Sequence, residues 1–162
     1  GAFDAFLKLS NIKGETQDEH GHKEEIEIDS YSWGASQTGT ANIGGGLGSG
    51  KISMQDFHFT KKIDAATPAL FIHCAKGKHI PEAKLTLRKA GGDPVEYLVV
   101  TFKRVLVSSI QQSGHSQGTQ IPMESISLNF EEVKYEYKLQ DGEGAGKPAG
   151  EFAWNLKTNM AS

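Results

Sequence analysis

Apolar and polar residues alternate with a period of two over most of this chain. That pattern constrains the fold more than any other feature, because only a strand sends every second side chain to one face. Ser125-Ile126-Ser127-Leu128-Asn129-Phe130 alternates without a break, with the even positions inward. Lys84-Leu85-Thr86-Leu87-Arg88 does the same, and 95–110 is rich in Val, Leu, Tyr and Phe with Leu98, Val100, Phe102 and Leu106 on one face. Further strands are expected at 3–9, 25–33, 51–60, 133–139 and 151–156. About eight strands separated by turn residues are the signature of a barrel or sandwich. With 162 residues, the chain has the length of one domain with a substantial core, spanning 1–162.

Several strands change phase partway along. Ile52 and Met54 share one face, Phe57 and Phe59 the other; Ile126, Leu128 and Phe130 give way to Val133, Tyr135 and Tyr137; Ile26 and Ile28 give way to Tyr31 and Trp33. A one-residue slip exchanges the two faces, so each switch calls for a bulge or for a strand covered on both sides, the latter by a partner subunit. Bulges at corners would curl the sheet into a barrel. One helix is expected after Thr67 as N-cap, with Pro68 in its first turn and Gly77 as its terminator; Leu70, Phe71 and Cys74 would form its apolar stripe. The expectation is therefore a mainly β fold: a β-barrel of about eight mostly antiparallel strands with one short α-helix and an extended Gly-rich loop.

That loop is the segment 34–50, GASQTGTANIGGGLGSG, which carries no charge and holds seven of the nineteen glycines. Loops this long within a compact domain are usually functional. An uncharged extension bearing Ile43 and Leu47 reads as an arm that docks on another chain. Its end mimics a phosphate-binding loop, but Ile52 stands where a hydroxyl should hold the metal ion, and the following residues have strand parity rather than opening a helix. Gly114-His115-Ser116-Gln117-Gly118 mimics a nucleophile elbow. That motif needs a strand, a turn and a helix, with an acid and then a histidine later in the chain, and no histidine follows His115. His20 and His22 read as part of a solvated charged loop, His73 and Cys74 point in different directions on the helix, and Cys74 reads as a small buried hydrophobe. No catalytic constellation and no cofactor site emerge.

Charge and cysteine content narrow the partners. Seventeen basic and twenty acidic residues leave a net charge of −3 without a run of like charges, which argues against nucleic acid. A single cysteine suits a reducing compartment. No apolar run is long enough to span a bilayer or to serve as a secretory signal, so synthesis in the cytoplasm without membrane insertion or a signal peptide is expected.

The order and spacing of several stretches identify a family. The chain resembles the Hcp proteins, the tube component of the bacterial type VI secretion system. The likeness runs from Phe6-Leu7-Lys8 and Ile12-Lys13-Gly14-Glu15 through Ser32-Trp33-Gly34 and its Gly-rich loop to Phe59-Thr60-Lys61-Lys62-Ile63-Asp64 with Thr67-Pro68. It continues through Gly77-Lys78-His79, Lys84-Leu85-Thr86-Leu87-Arg88-Lys89-Ala90-Gly91-Gly92, Val95-Glu96-Tyr97-Leu98 and Val105-Leu106-Val107-Ser108-Ser109 to Trp154-Asn155-Leu156. The resemblance implies a homohexameric ring that stacks into a tube, driven out by a contractile sheath with a spike protein at its tip, and a lumen that holds effector proteins. It implies export without a signal peptide, and a structural role rather than an enzymatic one. Carried onto this sequence, it places Ser32, and secondarily Ser30, against effector in the lumen. It assigns Thr40, Asn42, Ile43, Gly44, Gly45, Gly46 and Leu47 to contact with a neighbouring subunit or ring. The competing readings are a monomeric β-barrel hydrolase using Ser116 and a monomeric ligand carrier.

Overall fold

The computed structural model describes residues 2–37, 50–90, 95–140 and 146–162. Alternation becomes strand where it was expected, but the strands are more finely cut. The chain forms β1 (Phe3–Leu9), β2 (Ile26–Glu27), β3 (Ser30–Ser32), β4 (Ala35–Gln37), β5 (Ile52–Met54) and β6 (Phe57–Lys62). The helix α1 (Thr67–Lys76) follows, and then β7 (Ile80–Lys89), β8 (Glu96–Ser113), β9 (Met123–Asn129), β10 (Glu132–Gln140), β11 (Gly146–Asn155) and β12 (Met160–Ala161). Every strand pairing is antiparallel.

The expected phase switches turn out to be element boundaries. Residues 25–33 break into β2 and β3, residues 51–60 into β5 and β6, and a turn at Phe130 and Glu131 separates β9 from β10. Bulges occur elsewhere, at Leu87/Arg88, Val107/Ser109 and Tyr137/Lys138. One phase switch escaped the sequence reading. Arg104 adopts a left-handed backbone (φ 53°), so Phe102 and then Val105 and Val107 face the core while Leu106 does not.

That switch lets β8 serve two sheets. Its first part lies between β7 and β10, in the path β12-β11-β10-β8-β7-β1-β2, and its last part pairs with β9, which continues to β6 and β3. Among the described residues the ladders do not close into a barrel, which corrects the expectation: β2 and β3 share no ladder. The chain bridges the two sheets at Ile28 and Asp29, whose amides donate to the Ala5 carbonyl of β1 (3.1 Å) and the Thr60 carbonyl of β6 (2.8 Å). Between the sheets lie Leu7, Leu85, Val100, Phe57, Phe59, Ile126 and Leu128. Phe102 stands at the centre, 4.9 Å from the Phe57 ring, 4.6 Å from Phe130, and edge-on to Trp33 at 5.6 Å.

Helix α1 begins one residue earlier than its sequence suggests. Ala66, not Thr67, is the N-cap. The Thr67 hydroxyl accepts from the Asp64 amide (3.1 Å) and donates to Glu124 Oε2 (3.0 Å), while the Asp64 carboxylate takes the Ala66 amide (2.9 Å). Gly77 ends the helix in the left-handed conformation as expected. Of the expected stripe, Leu70 is buried and Cys74 only partly so, whereas Phe71 points outward with Ile72 beside it. Thr67 is held in place by a buried ion pair. Lys61 Nζ, fully buried, meets Glu124 Oε2 at 2.6 Å and Asp64 Oδ1 at 2.7 Å, and Gln112 donates to the other Glu124 oxygen at 2.8 Å. This cluster ties β6, β8, β9 and α1 together.

On the sheet that holds β1 and β7, part of the outer face is covered by the chain itself. Phe6, Thr86 and Arg88, on the parity opposite the core, are all buried. The segment 13–25 lies over them. His22, expected in a solvated loop, is 7% exposed and stacks on Phe6 at 4.6 Å with the rings 1° from parallel. Its Nδ1 bonds Glu25 Oε1 at 2.9 Å and its Nε2 bonds Glu96 on β8. The Arg88 guanidinium lies 4.7 Å from the centre of the Phe6 ring and pairs with Asp18 at 2.8 Å and Asp4 at 3.2 Å. Gly14 permits this fold-back, since a Cβ there would approach the Glu25 carbonyl oxygen to 2.3 Å. Gly146 and Gly150 belong to β11.

Two outcomes test these contacts. Glu124→Ala removes the fully buried one of the two carboxylates paired with Lys61 and should cost ~3 kcal/mol, read as a lower urea midpoint; adding Lys61→Met should recover part of that loss. The second concerns pH. Burial disfavours the charged His22 ring, but hydrogen bonds to Glu96 and Glu25 and the charge of both carboxylates outweigh it and raise its pKa above 6.5. A raised folded-state pKa means the His22 contribution is complete below pH 6.5 and is lost as pH climbs through the raised value. The urea midpoint should therefore fall across that window, and His22→Phe should abolish the fall. Asp18 behaves oppositely. The Arg88 hydrogen bond lowers its pKa below 3.8, so its contribution is lost only as acid titrates it below that value.

Candidate functional site

The strands β3, β6, β9 and the last part of β8 lie side by side with Phe57, Phe59, Ile126 and Leu128 against the core. Alternation sends the intervening residues to the opposite face. Register aligns them in two rows. In the first, Ser32 stands opposite His58, His58 opposite Ser127, and Ser127 opposite Ser109. In the second, Ser30 is opposite Thr60, Thr60 opposite Ser125, and Ser125 opposite Gln111. With neighbouring strands ~4.8 Å apart, each row spans roughly 14 Å.

These eight side chains comprise six hydroxyls, an amide and an imidazole, and none carries a fixed charge. Four of them are exposed: Ser30, Ser32, Ser109 and Gln111. The other four are half-buried and hydrogen-bonded within the face. His58 Nδ1 bonds Ser127 Oγ at 3.0 Å and Nε2 bonds Ser125 Oγ at 2.9 Å; the Ser30 and Thr60 hydroxyls meet at 2.5 Å. Charged groups flank the rows. Lys62 lies one step beyond on β6, and at the other end Asp56 accepts from the Ser108 hydroxyl (2.6 Å) and the Asn129 amide (3.3 Å).

The chemistry of this face is hydrogen bonding. A serine hydrolase needs a third group to orient its histidine, and here serines occupy both ring nitrogens of His58. Ser116 lies in the exposed turn between β8 and β9, which the Gly118 amide closes on the His115 carbonyl at 3.0 Å. A strand follows it, so the elbow resemblance fails as expected. Residues Thr40, Asn42, Ile43, Gly44, Gly45, Gly46 and Leu47 lie outside the described residues. The flanks of their segment pair as a separate hairpin, Ala35 with Met54 and Gln37 with Ile52.

The structure brings Ser30 and Ser32 together with Thr60, His58, Ser125 and Ser127, which sequence reasoning did not connect to them. The signal was present as the strict Ser-x-Ser alternation of β9 and the half-polar parity of β6. Matching those polar positions to β3 required the strand register.

Comparison with known proteins places the chain in context. A model of the family described as type VI secretion system effector, Hcp, matches residues 6–137. The chain is 47% identical to the Pseudomonas aeruginosa protein Hcp1 over 162 residues, covering 98% of each. Among solved structures, one described as a type six secretion system protein superposes with a TM-score of 0.91 at 34% identity, covering 99% of this chain and 100% of that one. Hcp1 from Salmonella typhimurium gives a TM-score of 0.80 at 36% identity, with both chains fully covered.

Because Ser32 is exposed and makes no side-chain bond to the core face, Ser32→Gln should change unfolding free energy by no more than ~0.5 kcal/mol in urea titrations.

Proposed function

The chain belongs to the Hcp family of type VI secretion proteins, and from that premise we propose that it is a subunit of the secreted tube, acting by assembly and by holding effector proteins rather than by catalysis. The observation that carries this reading is the two-row face of small, uncharged, hydrogen-bonding side chains. It is a broad strand surface suited to touching many polar sequences without trapping any by charge. Ser32 and Ser30 head the two rows and are the proposed effector contacts in the ring lumen.

Assembly draws on a second observation. Large apolar side chains stand exposed in several places, among them Phe71 and Ile72 on α1, and Tyr137, Leu139, Phe152 and Met160 on β10, β11 and β12. A closed homohexamer requires a heterologous contact, in which one patch of each subunit meets a different patch of the next, and exposed apolar patches mark such surfaces. The uncharged segment through Thr40, Asn42, Ile43, Gly44, Gly45, Gly46 and Leu47, which β4 and β5 flank, is proposed to reach a neighbouring subunit or the next ring. Glycines there would let a partner's backbone approach closely. The subunit is made in the cytoplasm and leaves through the type VI machine with the spike protein and the contractile sheath as partners. Among the described residues, no helix is long and apolar enough to cross a membrane.

Light scattering on the purified protein should return about six times the chain mass of 17.5 kDa; a monomer would refute the ring. Ser32→Gln should lower effector co-purification while leaving that mass unchanged, and undiminished retention would remove Ser32 from the lumen contact. Ser116→Ala should leave both unaltered.

A further inference from the structure

The two-row face contains a single imidazole among seven hydroxyl and amide side chains, and its bonding is asymmetric by necessity. A neutral imidazole donates through one nitrogen and accepts through the other. His58 bonds the Ser127 hydroxyl through Nδ1 and the Ser125 hydroxyl through Nε2. Whichever tautomer holds, one of these serines receives the ring N–H and keeps its own hydrogen free to donate outward. The other gives its hydrogen to the ring and presents only lone pairs. His58 thus fixes a donor in one row and an acceptor in the next.

Those two serines are two residues apart on β9, roughly 7 Å along the strand. An extended polypeptide repeats its main-chain N–H and C=O groups along one edge at that same interval. We propose that His58 is a specificity-determining residue of this face, making it select extended polypeptide segments with uncharged polar side chains; the inference rests on the lumen reading above. A segment running along β9 meets both serines, with successive main-chain groups of its near edge facing one each. Charge complementarity decides the class of segment. An acidic or basic segment would lose its hydration against eight side chains that offer no counter-charge; charge stands only at the edges of the rows, in Lys62 and in Asp56, which Ser108 and Asn129 already engage. An apolar segment would bury the outward hydrogen-bonding capacity of these hydroxyls without returning any partner, including Ser32 and Ser109, which have no side-chain bond of their own among the described residues.

The test measures fluorescence anisotropy of fluorescein-labelled repeat peptides, Ser–Asn, Ser–Glu, Ser–Lys and Ser–Leu, titrated with the intact protein. The Ser–Asn peptide should bind most tightly. His58→Leu should weaken it about tenfold at unchanged solution mass, and His58→Gln, which keeps both a donor and an acceptor, should restore most of the affinity. Should His58→Leu fail to assemble, the double variant Ser125→Ala/Ser127→Ala carries the same expected loss. Wild-type affinity in His58→Leu or in the double variant, alongside weakened binding in Ser32→Gln, would overturn the role of His58 and spare the lumen reading. Tightest binding of the Glu, Lys or Leu peptide would overturn the specificity. If neither Ser32→Gln nor His58→Leu alters binding of any peptide, the lumen reading fails and takes this inference with it.

Discussion

Everything in this fold turns on β8 keeping apolar residues inward on both sides of Arg104 while changing sheets. Eighteen residues of uninterrupted strand cannot serve two differently oriented sheets unless the inward parity shifts partway. The left-handed backbone of Arg104 makes that shift. Such a conformation costs a side-chain-bearing residue roughly 1–2 kcal/mol. It is sustained because Phe102 on one side and Val105 and Val107 on the other are then all buried. Lost burial of even one such side chain would cost about as much or more. The Arg104 side chain, turned outward, bonds Glu131 at 3.0 Å in the adjoining β9–β10 turn.

Polar groups then anchor what surrounds that strand. The Lys61–Glu124–Asp64 cluster brings charge into the core only because each partner is satisfied several times over, and it fixes α1 against β6 and β9. On the far side, segment 13–25 closes over Phe6 through His22 and sets Arg88 beside the same ring. The two devices differ in kind. The first is deep in the core, whereas the second rests on an imidazole whose pKa its carboxylate partners raise and so follows pH. Neither touches the hydroxyl rows, which leaves that face free to vary in sequence without cost to the core.

Much of the fold was legible beforehand. The limits of β1, the terminator Gly77 and the Ser-x-Ser parity of β9 follow from local rules that neighbouring residues obey regardless of context. Thr67 misled because its hydroxyl found better partners in Lys61 and Glu124 than in its own helix. His22 misled because its neighbours are charged: the sequence shows the charges around it but not that two of them, Glu25 and Glu96, close upon it from 3 and 74 residues away.

The candidate site divides along the same line. The sequence by itself determined which residues of each strand point outward, since a period of two admits one answer once the apolar set is known. It also determined that Ser30 and Ser32 share a face. Only the tertiary structure decided that Ser32 lines up with His58, Ser127 and Ser109, and Ser30 with Thr60, Ser125 and Gln111. Strand register in these rows arises from pairings between residues up to 69 positions apart, and it depends on a bulge at Val107 and Ser109 that no local pattern announces.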